Sequence, residues 1–313
     1  LMAVMAVGLI ACGTDKSDNE STKEEKTSVT ITSLDASKNE IELEVPYNPK
    51  RIAILDLASL DIIDELGVGD RVVGMASTSI DYLEKYSNDA SIKNLGTIKE
   101  ADLEAVMECE PDIIFIGGRL SKSYDALSEI APVVYLATDT NEGLVNSVSK
   151  NAKTIASIFG MEDKVDSLMS DFGARIDTIK KISSGKTALV GMTTSGSFNL
   201  LGNDGRCSLI GVEAGFNNLT AAGSTSTHGN ESSFETVVQQ NPDYIFVMDR
   251  DSAISTAGAK TAKEIVENEL VKTTDAYKNN HIIYLEHSNV WYTAEGGIQA
   301  LDIMLTDLEK GLK

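Results

Sequence analysis

The chain lacks the signatures by which most enzymes and metal-built proteins declare themselves. Its 313 residues hold three cysteines, three histidines and one tryptophan. No Cys-x-x-Cys pair occurs, so a zinc site of ordinary spacing is unsupported. There is no Gly-x-Ser-x-Gly elbow, no His-Glu-x-x-His and no Gly-Lys-Ser/Thr phosphate loop. Gly67-Val68-Gly69 lacks the third glycine of a dinucleotide fingerprint. Positive charge is also scarce: 27 Lys and Arg stand against 48 Asp and Glu, a formal net charge of −21. That balance argues against nucleic acid and against general attraction to anionic membranes. An anionic ligand would need a local basic cluster working against the global field. The length allows two cores of ordinary size.

What the chain does have is a repeat. Residues 100–119 read EADLEAVMECEPDIIFIGGR, and 131 positions later residues 231–250 read ESSFETVVQQNPDYIFVMDR. Glu, Glu, Val, Pro, Asp, Ile, Phe and Arg coincide in register. Each copy predicts a short amphipathic helix, a Pro-Asp break and a continuous apolar run, the pattern of a parallel strand buried on both faces. A spacing this wide means two α/β lobes of one design rather than a solenoid. Ligands of open parallel sheets collect at the carboxyl ends of strands, and each repeat delivers an arginine there, Arg119 and Arg250.

The remaining pattern fits that plan. Residues 29–47 alternate and predict an edge hairpin. Further strands are expected at 51–55, 72–75, 113–116 and 133–136, and, beyond residue 184, at 187–192, 244–248 and 282–285. A turn-rich stretch covers 195–203 and a closing helix about 297–312. The expected fold is α/β, with two Rossmann-like lobes, each a mainly parallel sheet flanked by helices. They span 41–155 and 184–313 and are joined by one long backbone helix within 156–183. Val165, Leu168, Met169, Phe172, Ile176 and Ile179 recur at helical spacing, so a single helix over 161–182 would be about 33 Å long. The connector is neither Gly/Ser-rich nor Pro-rich, unlike a flexible linker.

At the start, residues 1–11 are apolar but too short to span a bilayer. Leu9-Ile10-Ala11-Cys12 resembles a bacterial lipobox, in which cleavage before the cysteine leaves it lipidated. The basic region that opens such signals is missing, so the signal segment reads as truncated. Polar, charged residues 13–28 then resemble a tether, within a segment of 12–40 that ends in the edge strand. Cys109 and Cys207 are expected to remain separate buried thiols. The protein is therefore expected to be extracytoplasmic, anchored by lipid to the outer face of the cell membrane, with a fold independent of disulfides.

With repeat, connector and lipobox in place, the chain resembles the helical-backbone class of substrate-binding proteins of ABC importers. Within it, the chain is most similar to lipoproteins that bind ferric catecholate siderophores of the petrobactin type. Residues 226–229 (STHG), 241–250 (NPDYIFVMDR), 282–285 (IIYL) and 289–292 (NVWY) carry the likeness, which spans residues 46–313. It implies capture of a ferric siderophore between the lobes without turnover and with no intrinsic cofactor. Delivery would be to a dimeric permease by a monomeric, lipid-anchored protein. It places Arg119, Arg206 and Arg250 on the chelate's anionic oxygens, a role suited to permanently charged forks.

His228 lies in a polar segment and Tyr292 follows Trp291 just beyond a predicted strand. Taken alone, they read as an exposed histidine and a packing aromatic. The resemblance makes His228 and Tyr292 ligands of the chelated iron and puts Trp291 beside them at the ligand. Ferric iron is hard and prefers oxygen donors, with imidazole acceptable. A chelate with two catechols fills four of six positions and leaves two for the protein. Glu100 and Glu231, which open the two repeat copies, read as helix-start acids, whereas the resemblance implies that they dock on permease arginines. Haem or cobalamin remains the alternative ligand, and a cell-surface chelatase or other enzyme the alternative class.

Overall fold

The computed structural model describes residues 26–222 and 224–313. Cys12, the signal segment and the tether up to residue 25 lie outside the described residues. Strands β1 (Ser28–Leu34) and β2 (Glu40–Pro46) form the expected antiparallel hairpin. Asp35 ties its turn, with Oδ1 accepting from the N–H groups of Ser37 and Asn39 at 2.8 and 2.9 Å.

The first lobe holds β3 (Ile52–Leu55), β4 (Val72–Met75), β5 (Lys93–Asn94), β6 (Ile113–Ile116) and β7 (Val133–Tyr135). They form one parallel sheet in the order β5-β4-β3-β6-β7. Every residue of β3 and β6 is buried, as an apolar run without alternation requires. The second lobe holds β8 (Thr187–Thr194), β9 (Ser197–Leu200), β10 (Asn217–Asn218), β11 (Asn230–Glu231), β12 (Tyr244–Asp249) and β13 (Ile282–Tyr284). Its core, β8-β12-β13, is parallel. The turn-rich stretch contains β9, which folds back antiparallel on β8. Ser195 and Gly196, both at positive φ (50° and 82°), make the two-residue turn, the conformation that matches strand twist.

The repeat is structural. The first copy forms the helix Leu103–Glu108 and β6; the second forms the helix Phe234–Gln240 and β12. Its two aspartates that coincide in register do the same job twice. Asp112 Oδ2 accepts from the N–H of Lys50 and Arg51 at 2.7 and 2.9 Å, just before β3. Asp243 Oδ2 accepts from Thr187 N–H at 2.8 Å, at the start of β8. Each aspartate thereby sets the register between the repeat strand and its parallel neighbour, and so the height at which the following arginine emerges.

The single connecting helix is a correction. The apolar stripe is buried as expected at Val165, Phe172, Ile176 and Ile179, but it runs over two helices, Glu162–Leu168 and Phe172–Ser183, preceded by a third, Leu144–Phe159. Gly160, at φ +67°, closes the first, and a Cβ there would come within 2.3 Å of the Tyr47 hydroxyl. At the second break the Ser170 hydroxyl donates to Ser167 O at 2.9 Å. Such local side-chain bonds compete with the helical ladder. The periodicity survives because both pieces lie along the same core, which spacing alone does not distinguish from one helix.

A second link ties the lobes. Asp61, in the helix Leu57–Glu65 and only 1% exposed, accepts from the N–H groups of Gln299 and Ala300, both at 2.9 Å. These are orphan donors at the start of the closing helix Ile298–Gly311. Tyr82 Oη donates to the same carboxylate at 2.6 Å. A Cβ at Gly297 would lie 2.3 Å from Asp61 Oδ2, so only glycine fits beneath this contact.

Burial pushes Asp61 up from 3.8 to about 6, against the lowering effect of these hydrogen bonds. An acid whose folded pKa is raised contributes most below its unfolded value and loses that contribution as pH rises through the folded one. The stability of the wild type relative to Asp61→Asn should therefore fall between about pH 4 and pH 6.5, by up to about 3 kcal/mol. Urea melts across that range test this, and a difference that does not change with pH contradicts it.

Candidate functional site

Tyr292 sits on the short helix Ser288–Thr293, which follows β13. Ser288 joins this helix to the repeat strand, since its hydroxyl donates to Leu285 O at 3.0 Å and accepts from Asp249 N–H at 3.0 Å. Asp249 is the last residue of β12 and caps the turn that carries Arg250, accepting from Ser252 N–H at 3.0 Å. Arg250 and Tyr292 are thus placed by adjacent parallel strands. Arg119 arrives from the other lobe, in the 3-10 turn Gly118–Ser123 after β6.

The three arginines converge on this one phenol. Arg206, Arg119 and Arg250 guanidinium carbons lie 4.4, 5.5 and 5.6 Å from the Tyr292 ring centroid. Arg250 Nε donates to the Tyr292 hydroxyl at 3.1 Å. Arg119 Nη2 and Arg206 Nε both donate to Tyr292 O, at 3.2 and 3.4 Å. Arg250 also donates to Thr194 Oγ1 at 3.2 Å and faces the buried carboxylate of Asp251 at 3.5 Å.

Burial alone would raise the Tyr292 pKa. The Arg250 hydrogen bond and the charges of Arg206, Arg250 and Arg119 outweigh it, so the phenol falls below its ordinary value. Arg119 is pulled below its own usual value by burial and by Arg206, as crowded like charges require. Here a strongly acidic chain concentrates three positive charges on one side chain.

His228 is exposed, in the loop before β11. Asn199 Nδ2 donates to His228 O at 2.8 Å, and Arg206 Nη1 donates to Thr227 O at 2.7 Å, tying this loop to the arginine cluster. Partial burial, Arg250, Arg206, Lys99 and Arg119 together hold His228 below its ordinary pKa. The ring is therefore neutral at neutral pH, the state in which imidazole binds a metal. The arginines thus shift both His228 and Tyr292 toward their metal-binding forms, with burial adding to the effect at His228 and opposing it at Tyr292.

Other expected residues land elsewhere. Trp291 is a correction: it is 0% exposed and points away from the cleft, its Nε1 donating to buried Asp307 at 2.9 Å. Asp307 also accepts from His287 N–H at 3.0 Å and pairs with His287 Nδ1 at 2.7 Å. Consecutive residues of a helix face different directions, so Tyr292 and Trp291 cannot both point the same way. His281 stacks on Tyr244 at 4.2 Å, a structural role. Glu100 and Glu231 are exposed, as docking acids must be. They do not start the helices, whose N-caps are Asp102 and Ser233. Neither makes an ion pair among the described residues.

A cavity of about 340 Å³ lies between the lobes, lined by Arg119, Arg206 and Tyr292 together with Asp56, Asp204 and Glu295. These acids escaped the sequence reading. Asp56 carried a signal, as the N-cap after a buried strand, where it accepts from Ser59 N–H at 2.9 Å.

A family profile described as periplasmic binding protein matches residues 52–288. The chain belongs to this family. It is 36% identical to the petrobactin-binding protein YclQ of Bacillus subtilis (strain 168) over 99% of this chain and 96% of that protein. The crystal structure of that protein superposes with a TM-score of 0.83, covering 91% of this chain and 99% of the other. A periplasmic catecholate-siderophore binding protein of Vibrio cholerae matches at 30% identity and TM-score 0.81, over 90% of this chain and all of that one. The iron uptake ABC transporter substrate-binding protein PiuA of Streptococcus pneumoniae matches at 32% and 0.82, over 91% and 99%. As in that family, two α/β lobes flank the cleft, and among the described residues no helix is long and apolar enough to cross a membrane.

Because Asp307 holds Trp291 and His287 behind the Tyr292 helix, Asp307→Ala should cost about 1–3 kcal/mol, leaving a buried indole N–H unpaired. Denaturant melts measure this; unchanged stability contradicts the assignment.

Proposed function

We propose that this protein captures a ferric catecholate siderophore in the inter-lobe cleft and presents it to the permease of an ABC importer. The observation that carries the reading is the convergence of Arg119, Arg206 and Arg250 on Tyr292, with the phenol pKa lowered. Ferric catecholates are anionic and rich in hard oxygens, which guanidinium forks match. The relatives named for petrobactin and for catecholate siderophores support this class of ligand. A haem or cobalamin reading needs exposed aromatic surface for stacking, and the one tryptophan is buried.

In this mechanism the guanidiniums move from the Tyr292 ring onto the catecholate oxygens. The phenol releases its proton to solvent as its oxygen binds iron, and neutral His228 supplies a nitrogen. A chelate with four catecholate oxygens leaves those two octahedral positions; one with six leaves none and is held by the arginines alone. Lipidation at Cys12 would keep a monomeric protein on the outer membrane face, near its permease. Glu100 and Glu231, one exposed acid per lobe, would meet the two halves of a permease dimer, a pairing suited to pseudo-symmetry.

Ferric bis-catecholates should quench the fluorescence of Trp291, the neighbour of Tyr292 in the chain, at sub-micromolar concentration. Neutral ferric trihydroxamates should bind at least about tenfold more weakly, a difference of about 1.4 kcal/mol. The visible charge-transfer band of a bound bis-catecholate should shift in the wild type and not in Tyr292→Phe; identical spectra would remove tyrosinate ligation. Replacing both Glu100 and Glu231 by Ala should abolish uptake while leaving affinity intact and stability changed by less than about 1 kcal/mol. Normal transport by that double variant contradicts the docking role.

A further inference from the structure

The cleft brings guanidiniums and carboxylates into one chamber without pairing them. Arg119 and Arg206 line it together with Asp56, Asp204 and Glu295. Yet among the described residues no ion pair within 4 Å joins these acids to these arginines. The guanidiniums are spent on Tyr292 and Thr227 instead. Asp56 turns Oδ2 to the Ser59 N–H and hydroxyl, at 2.9 and 2.7 Å, and Asp204 turns Oδ2 to Thr225 N–H at 2.8 Å. Glu295 is the outlier: its carboxyl group is buried and Oε2 has no hydrogen-bond partner among the described residues.

A buried acceptor left unpaired costs about 1–3 kcal/mol, and native sites keep such a group where something else satisfies it. In its ionised form the group only accepts, so a partner that stabilises that form must donate. Glycines 117, 118 and 296 line the same cavity. Arg250 and His228 do not line it, which sets the chamber to one side of the full arginine cluster.

We propose that this chamber is a subsite for a protonated amine carried on the linker or arm of the chelate, with Glu295 as its principal acceptor and Asp56 and Asp204 as flanking acids. The proposal rests on the ferric-chelate reading and narrows it: the preferred ligand carries both charges, anionic oxygens for the arginines and a cationic nitrogen for the acids. Burial raises Glu295 to about 7, against the lowering influence of Arg206, the Cys207 N–H and Arg119. An arriving ammonium would return the proton-binding group to its ionised form.

The test uses two ferric bis-catecholate chelates matched in length, one with a secondary amine in the linker and one with an ether oxygen at that position. Their affinities are measured by fluorescence quenching of wild type, Glu295→Gln and Asp204→Asn, the last on an exposed loop where folding is safe. Wild type should prefer the amine chelate by at least about tenfold. That ratio should collapse toward one in Glu295→Gln and shrink in Asp204→Asn. Equal binding of both chelates by wild type, or a ratio unchanged in both variants, overturns the subsite while leaving the ferric-chelate reading in place. Binding of neither chelate overturns that reading and the subsite with it.

Discussion

Three permanently charged side chains held around one phenol ring set the terms for the rest of this structure. Guanidiniums repel one another, and burial makes that repulsion harder to screen. The chain nonetheless brings Arg119, Arg206 and Arg250 to within 5.6 Å of the same ring centroid. What tolerates the crowding is Tyr292, whose ring face attracts cations, whose hydroxyl accepts from Arg250 and whose backbone carbonyl accepts from Arg119 and Arg206. The cluster is thus provisionally satisfied by Tyr292. It is better satisfied by a ligand bringing real negative charge, and that difference is what binding can draw on.

Holding such a cluster requires stiffness behind it. The aspartates of the repeat, Asp112 and Asp243, fix the strands that deliver Arg119 and Arg250. Asp307 anchors the helix of Tyr292 from below, and Asp61 caps the closing helix from the other lobe. Arg175 adds a further brace, joining the last connector helix to Asp302 and Glu309 of the closing helix at 2.5 and 2.7 Å. The lobes are thereby tied through several contacts as well as through the chain, which favours small side-chain movements over wide lobe opening.

The paired lobes, the central strands and both repeat arginines were legible in the sequence, because a buried parallel strand leaves an unbroken apolar run and the repeat shows where each one ends. Cys109 and Cys207 are buried free thiols, as expected. The unity of the connector was not legible, since a stripe at helical spacing looks the same whether one helix or two lie along a core. Trp291 was misplaced because adjacency to Tyr292 in sequence says nothing about which face of a six-residue helix each occupies. Asp204, Asp251 and Glu295 were missed because a single acid in an acid-rich chain carries no pattern. Their placement follows from tertiary packing around the cleft, and only coordinates reveal it.

The central claim is that the arginine cluster prepares Tyr292 to act as an anionic oxygen donor. The most direct measurement is an ultraviolet difference titration of the ligand-free protein, following tyrosinate absorbance against pH in wild type and Tyr292→Phe. The account predicts that one tyrosine ionises below the ordinary pKa of about 10, that this step vanishes in Tyr292→Phe, and that it moves upward when Arg250 is replaced by Met. Identical titrations for wild type and Tyr292→Phe below that value would contradict it.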